Sequence, residues 1–289
     1  MTTILVTGAN GQLGNELRLL EKSYPSFTFI FTDYEKLDIT NSNAVLLFFE
    51  KYKPQYLINC AAYTAVDKAE SDQDKAYLLN AEAPKILAIA TKKNDCKFIH
   101  ISTDYVYDGI SHIPYTENMP IKPTSVYGSS KALGELNVTT ENQDSIIIRT
   151  SWLYSPFGNN FVKSMIKLGN ERHELNIVFD QIGTPTYAYD LGLSIMEIIF
   201  KTSSGIKKWL PDIYHFSNEG VCSWYDFTKA IYSLKGITTC NVNPIESKDY
   251  PTPVKRPHYS VLNKKKIKTT FDITIPYWKD SLEECLKYL

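Results

Sequence analysis

The sequence predicts an α/β fold: a Rossmann-type doubly wound parallel sheet with a smaller C-terminal substrate-binding lobe. Three observations point there. Strand-length apolar runs alternate with segments of helical period as far as Ser217. Those runs are apolar throughout, as in strands covered on both faces. The first strand–helix junction carries Gly8, Gly11 and Gly14 at three-residue spacing.

The elements follow in order. Ile4–Val6 is the first strand, and Thr7-Gly8-Ala9-Asn10-Gly11-Gln12-Leu13-Gly14 turns it into a helix marked by Leu13, Leu17 and Leu20. Glycines so spaced let a backbone turn tightly against a pyrophosphate, and the last lets helix and strand pack closely. The helix start adds free N–H groups and partial positive charge. Gly8, Asn10, Gly11, Gln12, Leu13 and Gly14 are therefore cofactor-binding candidates, the bland alternative being a structural turn. Phe27–Phe31 is the second strand, and Asp33 stands at its end, about 20 residues beyond the glycine loop. A carboxylate there accepts hydrogen bonds from the adenosine ribose and repels a 2′-phosphate, which favours NADH over NADPH. Lys36 is near enough to offset part of that charge, and Asp38 and Ile39 are placed along the adenine.

Val45, Leu46 and Phe49 mark the next helix, and Tyr56–Cys60 the third strand. Ala61, Ala62 and Tyr63 follow it, with small residues where a cofactor would cross the sheet edge. Ile86, Leu87 and Ala90 recur at helical spacing, and Phe98–Ser102, Ile146–Ile148, Ile177–Phe179 and Tyr214–Ser217 complete the strand candidates. After Arg149 the character shifts: a loop-like stretch from Trp152 to Asn160, then Pro244, Pro251, Pro253 and Pro257, then a short amphipathic helix over 279–288. Residues 1–150 are expected to form the dinucleotide-binding domain, with strands from about 175–220 added to it. Segments of 151–289 are expected to make the substrate lobe.

A formal charge of −1 gives no basic excess for nucleic acid, and Lys264-Lys265-Lys266 reads as a solvated face. No apolar run approaches the roughly 18 residues of a membrane helix. No signal peptide is read at the N-terminus. Five scattered cysteines without Cys-x-x-Cys favour reduced thiols in a cytoplasmic protein.

The chemistry concentrates between Phe98 and Lys131. Ser102 and Thr103 stand at the carboxyl end of a buried strand, where a hydroxyl can donate to a carbonyl oxygen gaining negative charge. Tyr127 and Lys131 are four positions apart and share a face if helical. The ammonium is expected to hold a ribose and draw the phenol down from its usual pKa of about 10, readying it to donate a proton. An ordinary surface pair has the same spacing; the glycine loop supplies the context for catalysis. Hydride must come from a nicotinamide, NADH or NADPH, because no side chain donates one. Neither a Cys/His nucleophile pair nor a His-Glu-x-x-His pattern competes for the role.

Together these residues resemble the extended short-chain dehydrogenase/reductase superfamily and, within it, the dTDP-4-dehydrorhamnose reductase family. The glycine loop and Tyr127-Gly128-Ser129-Ser130-Lys131 are common to the superfamily. Ala61-Ala62-Tyr63-Thr64-Ala65-Val66-Asp67-Lys68-Ala69-Glu70 and Thr103-Asp104-Tyr105 are much more specific to the family. Arg149-Thr150-Ser151-Trp152, Asp180-Gln181-Ile182-Gly183-Thr184-Pro185-Thr186 and Arg256-Pro257 carry the likeness through the rest of the chain.

The resemblance implies reduction of the 4-keto group of dTDP-4-dehydro-β-L-rhamnose. Tyr127 would donate the proton, Lys131 would activate it and bind the ribose, and Thr103 would hold the reacting oxygen. Asp104, Tyr105 and Trp152 would line the sugar. Related dehydratases place a carboxylate where Tyr105 stands; a tyrosine is a poor general base, so reduction is favoured. Tyr34 follows Asp33 where family members often carry a basic residue, which weakens the case for NADPH. Some relatives dimerise around magnesium held by glutamates. Glu16 matches one such position, but no match is read near Asp190 or at the C-terminal end, so magnesium is unsupported and a homodimer stays open. Two rival readings remain: a reductase or epimerase of another nucleotide-4-ketosugar, and a non-catalytic regulatory subunit.

Overall fold

The computed structural model describes residues 2–289. Its centre is a sheet of β1 (Thr2–Thr7), β2 (Phe27–Phe31), β3 (Tyr56–Asn59), β4 (Lys97–Thr103), β5 (Ser145–Thr150) and β6 (Ile213–His215). The strands lie in the order β6-β5-β4-β3-β1-β2, every neighbouring pair parallel. From β1 the chain moves outward to β2, then returns past β1 to β3. The order reverses between β1 and β3, and ligands of open parallel sheets bind in such a crevice.

Two cores account for the unbroken apolar runs. Ile4, Val6, Ile58, Ile99, Ile146 and Ile148 face one of them, covered by α1 (Gln12–Leu20) and by the long helix Ala188–Ser203. Leu5, Leu57, Phe98 and Ile147 face the other, beneath α2 (Ser42–Tyr52), α3 (Ala83–Lys93) and α4 (Val126–Glu141). Alternation is present but hidden, because both faces are dry. Each fully buried Ile, Leu or Phe contributes about 1.5–3 kcal/mol relative to exposure.

A third core, including Tyr154, Val162, Leu175, Phe227, Ile231, Trp278 and Leu282, gathers the C-terminal segments. It corrects one expectation. The run at Ile177–Phe179 is not added to the main sheet: Glu174–Val178 pairs in parallel with Asn241–Ile245 as a separate two-stranded sheet. Glu174 and Asn176 are exposed while Leu175 and Val178 are buried, so this strand covers its core on one face only. The position beside β5 is occupied instead by β6. Among the described residues no helix is long and apolar enough to cross a membrane.

Candidate active site

At the β1/β3 crevice the backbones press together. Gly8 has φ +65°, and a β-carbon there would lie 2.6 Å from the Ala61 nitrogen, so only glycine fits. Asn59 fixes the floor: its side-chain oxygen accepts from the Thr7 hydroxyl (2.7 Å) and the Ala61 N–H (3.2 Å). Its amide then meets Nδ1 of buried His100 at 3.0 Å. α1 starts from Gly11 without a side-chain cap, and its first backbone bond runs from Asn15 N–H to the Gly11 carbonyl at 3.0 Å. The N–H groups of Gln12, Leu13 and Gly14 are thereby left for an anion. A glycine cradle leading to an uncapped helix start fits a dinucleotide pyrophosphate.

Asp33 accepts from the Asn10 N–H (3.0 Å) and the Tyr34 N–H (2.8 Å), so it braces the glycine loop. Lys36 donates to the Phe31 carbonyl at 3.0 Å. Asp38 closes a local turn, accepting from the Thr40 N–H and hydroxyl at 2.9 and 2.7 Å. The Ile39 side chain is buried with Leu37, Val45 and Phe49. Its apolar surface is already covered by α2.

Thr103 ends β4 on the same side of the sheet. Its hydroxyl donates to Asp104 Oδ1 (3.0 Å) and its oxygen accepts from the Tyr105 N–H (3.2 Å), and it lies near enough to the Tyr127 phenol to bear on that group's titration. Ser102, the neighbouring candidate, points the other way and donates to Glu135 Oε1 at 2.5 Å. Successive strand residues face opposite sides, so only one of the two hydroxyls can serve the site. Glu135 belongs to a buried ion pair with Arg149 (2.6 and 2.9 Å), and Arg149 also reaches the Tyr107 hydroxyl at 2.6 Å. This pair ties α4 to β5 behind the site.

Three contacts seat the start of α4. The Ser125 hydroxyl accepts from the Gly128 N–H (3.1 Å), and Glu70 accepts from the Val126 N–H (2.9 Å). A β-carbon at Gly128 would run into the Tyr105 carbonyl oxygen. This close approach sets the half-buried Tyr127 edge-on to Tyr105, ring centroids 5.5 Å apart at 76°. Tyr63 packs behind Tyr127 with Ala69 and Ala76, and Asn80 holds its backbone N–H and carbonyl at 2.8 and 3.1 Å. Ala62 follows Ala61 in the loop leaving β3.

Lys131 is buried and donates to the Ile101 carbonyl at 2.6 Å. Burial lowers its amine to about 8. The Tyr127 phenol is pushed up, not down: burial dominates, and only the Thr103 hydrogen bond opposes it. The expected lowering by Lys131 is therefore not met. The ammonium is engaged by a strand carbonyl, and desolvation of the phenolate outweighs the rest. Burial likewise raises the Asp104 carboxyl to about 7, with hydrogen bonds from Thr103 and others opposing.

Trp152 adopts φ +48° and stacks on Trp224, centroids 3.5 Å apart at 8°. A non-glycine residue held there costs about 1–3 kcal/mol and marks functional ground. Sequence reasoning missed Trp224, Glu70, Asn80 and the Glu135–Arg149 pair. An arginine inside an apolar strand was the available signal for the last of these.

At the expected magnesium position the donors are few. Glu16 is buried, with one oxygen accepting from the Ser155 hydroxyl (2.7 Å) and the other without a partner. The carboxylate close enough to act on it is Asp190, itself held by Asn218 (2.6 Å) and Ser281 (2.5 Å). Among the described residues no group of three or more His, Cys, Asp or Glu is arranged to hold a metal ion. This donor set does not fit a magnesium site within the chain.

A glycine-cradled parallel sheet, with Thr103 and Tyr127 meeting where β4 ends and Lys131 one turn behind, defines a short-chain dehydrogenase/reductase fold. Within that class the chain belongs to the dTDP-4-dehydrorhamnose reductase family: the family model described as RmlD substrate binding domain matches residues 1–289. A crystal structure of a dTDP-4-dehydrorhamnose reductase from Clostridium acetobutylicum is 44% identical with a TM-score of 0.92, covering 99% of each chain. The Bacillus anthracis dTDP-4-dehydrorhamnose reductase, crystallised in complex with NADP, is 38% identical with a TM-score of 0.93, covering 100% of each. The spore coat polysaccharide biosynthesis protein SpsK of Bacillus subtilis is 39% identical over 288 residues, 99% of this chain and 98% of that protein.

Proposed function

We propose that this protein reduces the 4-keto group of dTDP-4-dehydro-β-L-rhamnose to give dTDP-L-rhamnose. The seating of Tyr127 against the Thr103–Tyr105 turn at the end of β4, in a sheet that also carries the glycine cradle, carries this reading. Bound NADH or NADPH supplies the hydride. Gly8, Gly11, Gly14 and the start of α1 hold the pyrophosphate, and Asp33 stands toward the adenosine ribose. Thr103 orients the ketone oxygen, and Tyr127 hands it a proton as negative charge develops. A phenol is protonated at neutral pH, and burial pushes this one further the same way, which suits a donor in the reductive direction. The developing alkoxide is a stronger base than phenolate, so transfer stays downhill. Lys131, one turn further along α4, is placed to hold the nicotinamide ribose. Asp104, Tyr105 and Trp152 line the sugar.

With Tyr105 where a dehydratase needs a carboxylate, simple reduction is favoured over dehydration. Asp33 supports a preference for NADH, and a measured preference for NADPH above about tenfold would contradict that. The decisive assay follows reduced-cofactor absorbance with dTDP-4-dehydro-L-rhamnose, beside Tyr127→Phe. We expect turnover by the parent and at least about a hundredfold loss in the variant. A variant as fast as the parent removes Tyr127 from the mechanism. A second reading, reduction of another nucleotide-4-ketosugar, is supported by 36% identity over 282 residues to a probable dTDP-4,6-dihydroxy-2-methyloxan-3-one 4-ketoreductase of Streptomyces antibioticus, and product stereochemistry distinguishes the two.

A further inference from the structure

We infer that Trp224 is a positioning residue for the sugar site: it holds the Trp152 indole in place from a separate helix, so that the two indoles act on substrate as one unit. The inference rests on the reading that Trp152 lines the sugar, and deepens it. Trp152 stands two residues beyond Thr150, the last residue of β5, which pairs in register with Thr103. A side chain there is placed to wall the site, but the backbone must leave the strand to bring it round. It does so at φ +48°, a conformation that a bulky residue keeps only where its surroundings impose it.

Three contacts impose it. The Trp152 carbonyl accepts from the Thr186 N–H at 3.1 Å. Gly183 brings bare backbone up to the indole, where a β-carbon would lie 2.5 Å from Cε2. Trp224 covers one face of the ring, centroids 3.5 Å apart and planes 8° from parallel. Rings so close and so nearly parallel overlap almost fully, whereas free aromatic pairs settle offset or edge-on at about 4.5–7 Å. The sandwich is therefore held by the chain around it. Phe161 packs against Trp224 in turn, centroids 4.5 Å apart. Trp224 opens the helix Trp224–Lys235, whose start is fixed by reciprocal bonds between Ser223 and Asp226. Cys222 and Ser223 pair with Gly183 and Ile182, so one short ladder delivers both the glycine and the second indole to Trp152. Both indoles are only half-buried, which leaves the stack surface for a ligand. A flat apolar wall suits a deoxysugar ring, with the polar contacts left to the end of β4.

A double-mutant cycle separates positioning from ordinary packing. Steady-state kinetics with dTDP-4-dehydro-L-rhamnose would compare Trp152→Leu, Trp224→Leu and the double variant, with reduced-cofactor affinity measured beside them. Trp224→Leu is expected to raise KM at least about tenfold with cofactor affinity at the parent's value, and Trp224→Phe, which keeps a flat ring, to stay within about threefold. In the Trp152→Leu background, Trp224→Leu should add no further loss. Gly183→Ala pushes on the same indole without opening the core. It should raise KM likewise, and it decides the matter even where Trp224→Leu does not fold. Losses that multiply in the double variant would make Trp224 a plain packing residue and overturn the inference. A parent-like KM in Trp224→Leu or Gly183→Ala would overturn it too, while sparing the reductase reading. Parent kinetics in Trp152→Leu would remove Trp152 from the sugar wall, and the inference with it.

Discussion

At the scale of single residues, one proton decides how ready the site is. The Thr103 hydroxyl donates to Asp104, so with an ionised carboxyl its proton is directed away from the ketone oxygen. Burial brings that carboxyl to about 7. Below this pH Asp104 carries a proton, can donate to Thr103, and turns the threonine hydroxyl toward substrate. Reduction is therefore expected to slow as pH rises through about 7. Asp104→Asn, whose amide also donates, should retain activity and lose that limb; a pH–rate profile with the limb intact would remove Asp104 from the explanation. Gly8, Thr103 and Tyr127 could be proposed from the sequence because each proposed role needs a property of the residue itself, namely a missing β-carbon, a hydroxyl or a phenol. The pKa direction of Tyr127 was not legible. It depends on how deeply α4 buries the ring and on which acceptor engages Lys131, both of which tertiary packing sets.

At the scale of elements, α4 is the part whose seating matters most. It brings Tyr127 and Lys131 to the end of β4, and its entry is fixed by Ser125, Glu70 and the absence of a side chain at Gly128. Gly128→Ala places a methyl against the Tyr105 carbonyl, an obstacle of rigid backbone. We expect α4 to shift off the β4 end, with about 1–3 kcal/mol lost in denaturant unfolding as for other overpacked sites. Turnover should fall at least about tenfold while cofactor affinity stays near the parent's, because misplacement of reacting groups by even 1 Å is costly. Full activity in Gly128→Ala would show that Tyr127 does not depend on this contact. The sequence revealed the main strands through their unbroken apolar runs. It misassigned the run at Ile177 because a short strand over one core and a strand between two cores look alike without knowledge of their neighbours. The β5 edge was closed by β6, and nothing local to Glu174–Val178 announces that.

At the scale of the whole molecule, the first helix of the sheet meets C-terminal segments over a buried acid. Glu16 lies on α1, its partner Ser155 lies in the loop before the helix Phe161–Glu171, and Asp190 lies on the helix Ala188–Ser203. Burial, with a smaller push from Asp190, raises Glu16 to about 7 against the Ser155 hydrogen bond. In the unfolded chain a glutamate titrates at about 4.3. Between those values the folded protein holds a proton that the unfolded chain releases, so this contribution is full below about 4 and is lost as pH rises to about 7. Buried His215 acts in the opposite sense. Its imidazole is lowered to about 3, chiefly by burial and then by Arg149, so its contribution is present above the usual histidine range and lost as pH falls from there to about 3. The parent's own stability profile therefore mixes opposing slopes, and a single substitution separates them. Glu16→Gln keeps the shape and an acceptor for Ser155 but removes the charge. Its unfolding free energy should be close to the parent's near pH 4.5 and exceed it by on the order of 3 kcal/mol at pH 8. Chemical denaturation at the two pH values reads this directly, and a difference that does not change with pH would mean that Glu16 keeps its charge in the folded protein.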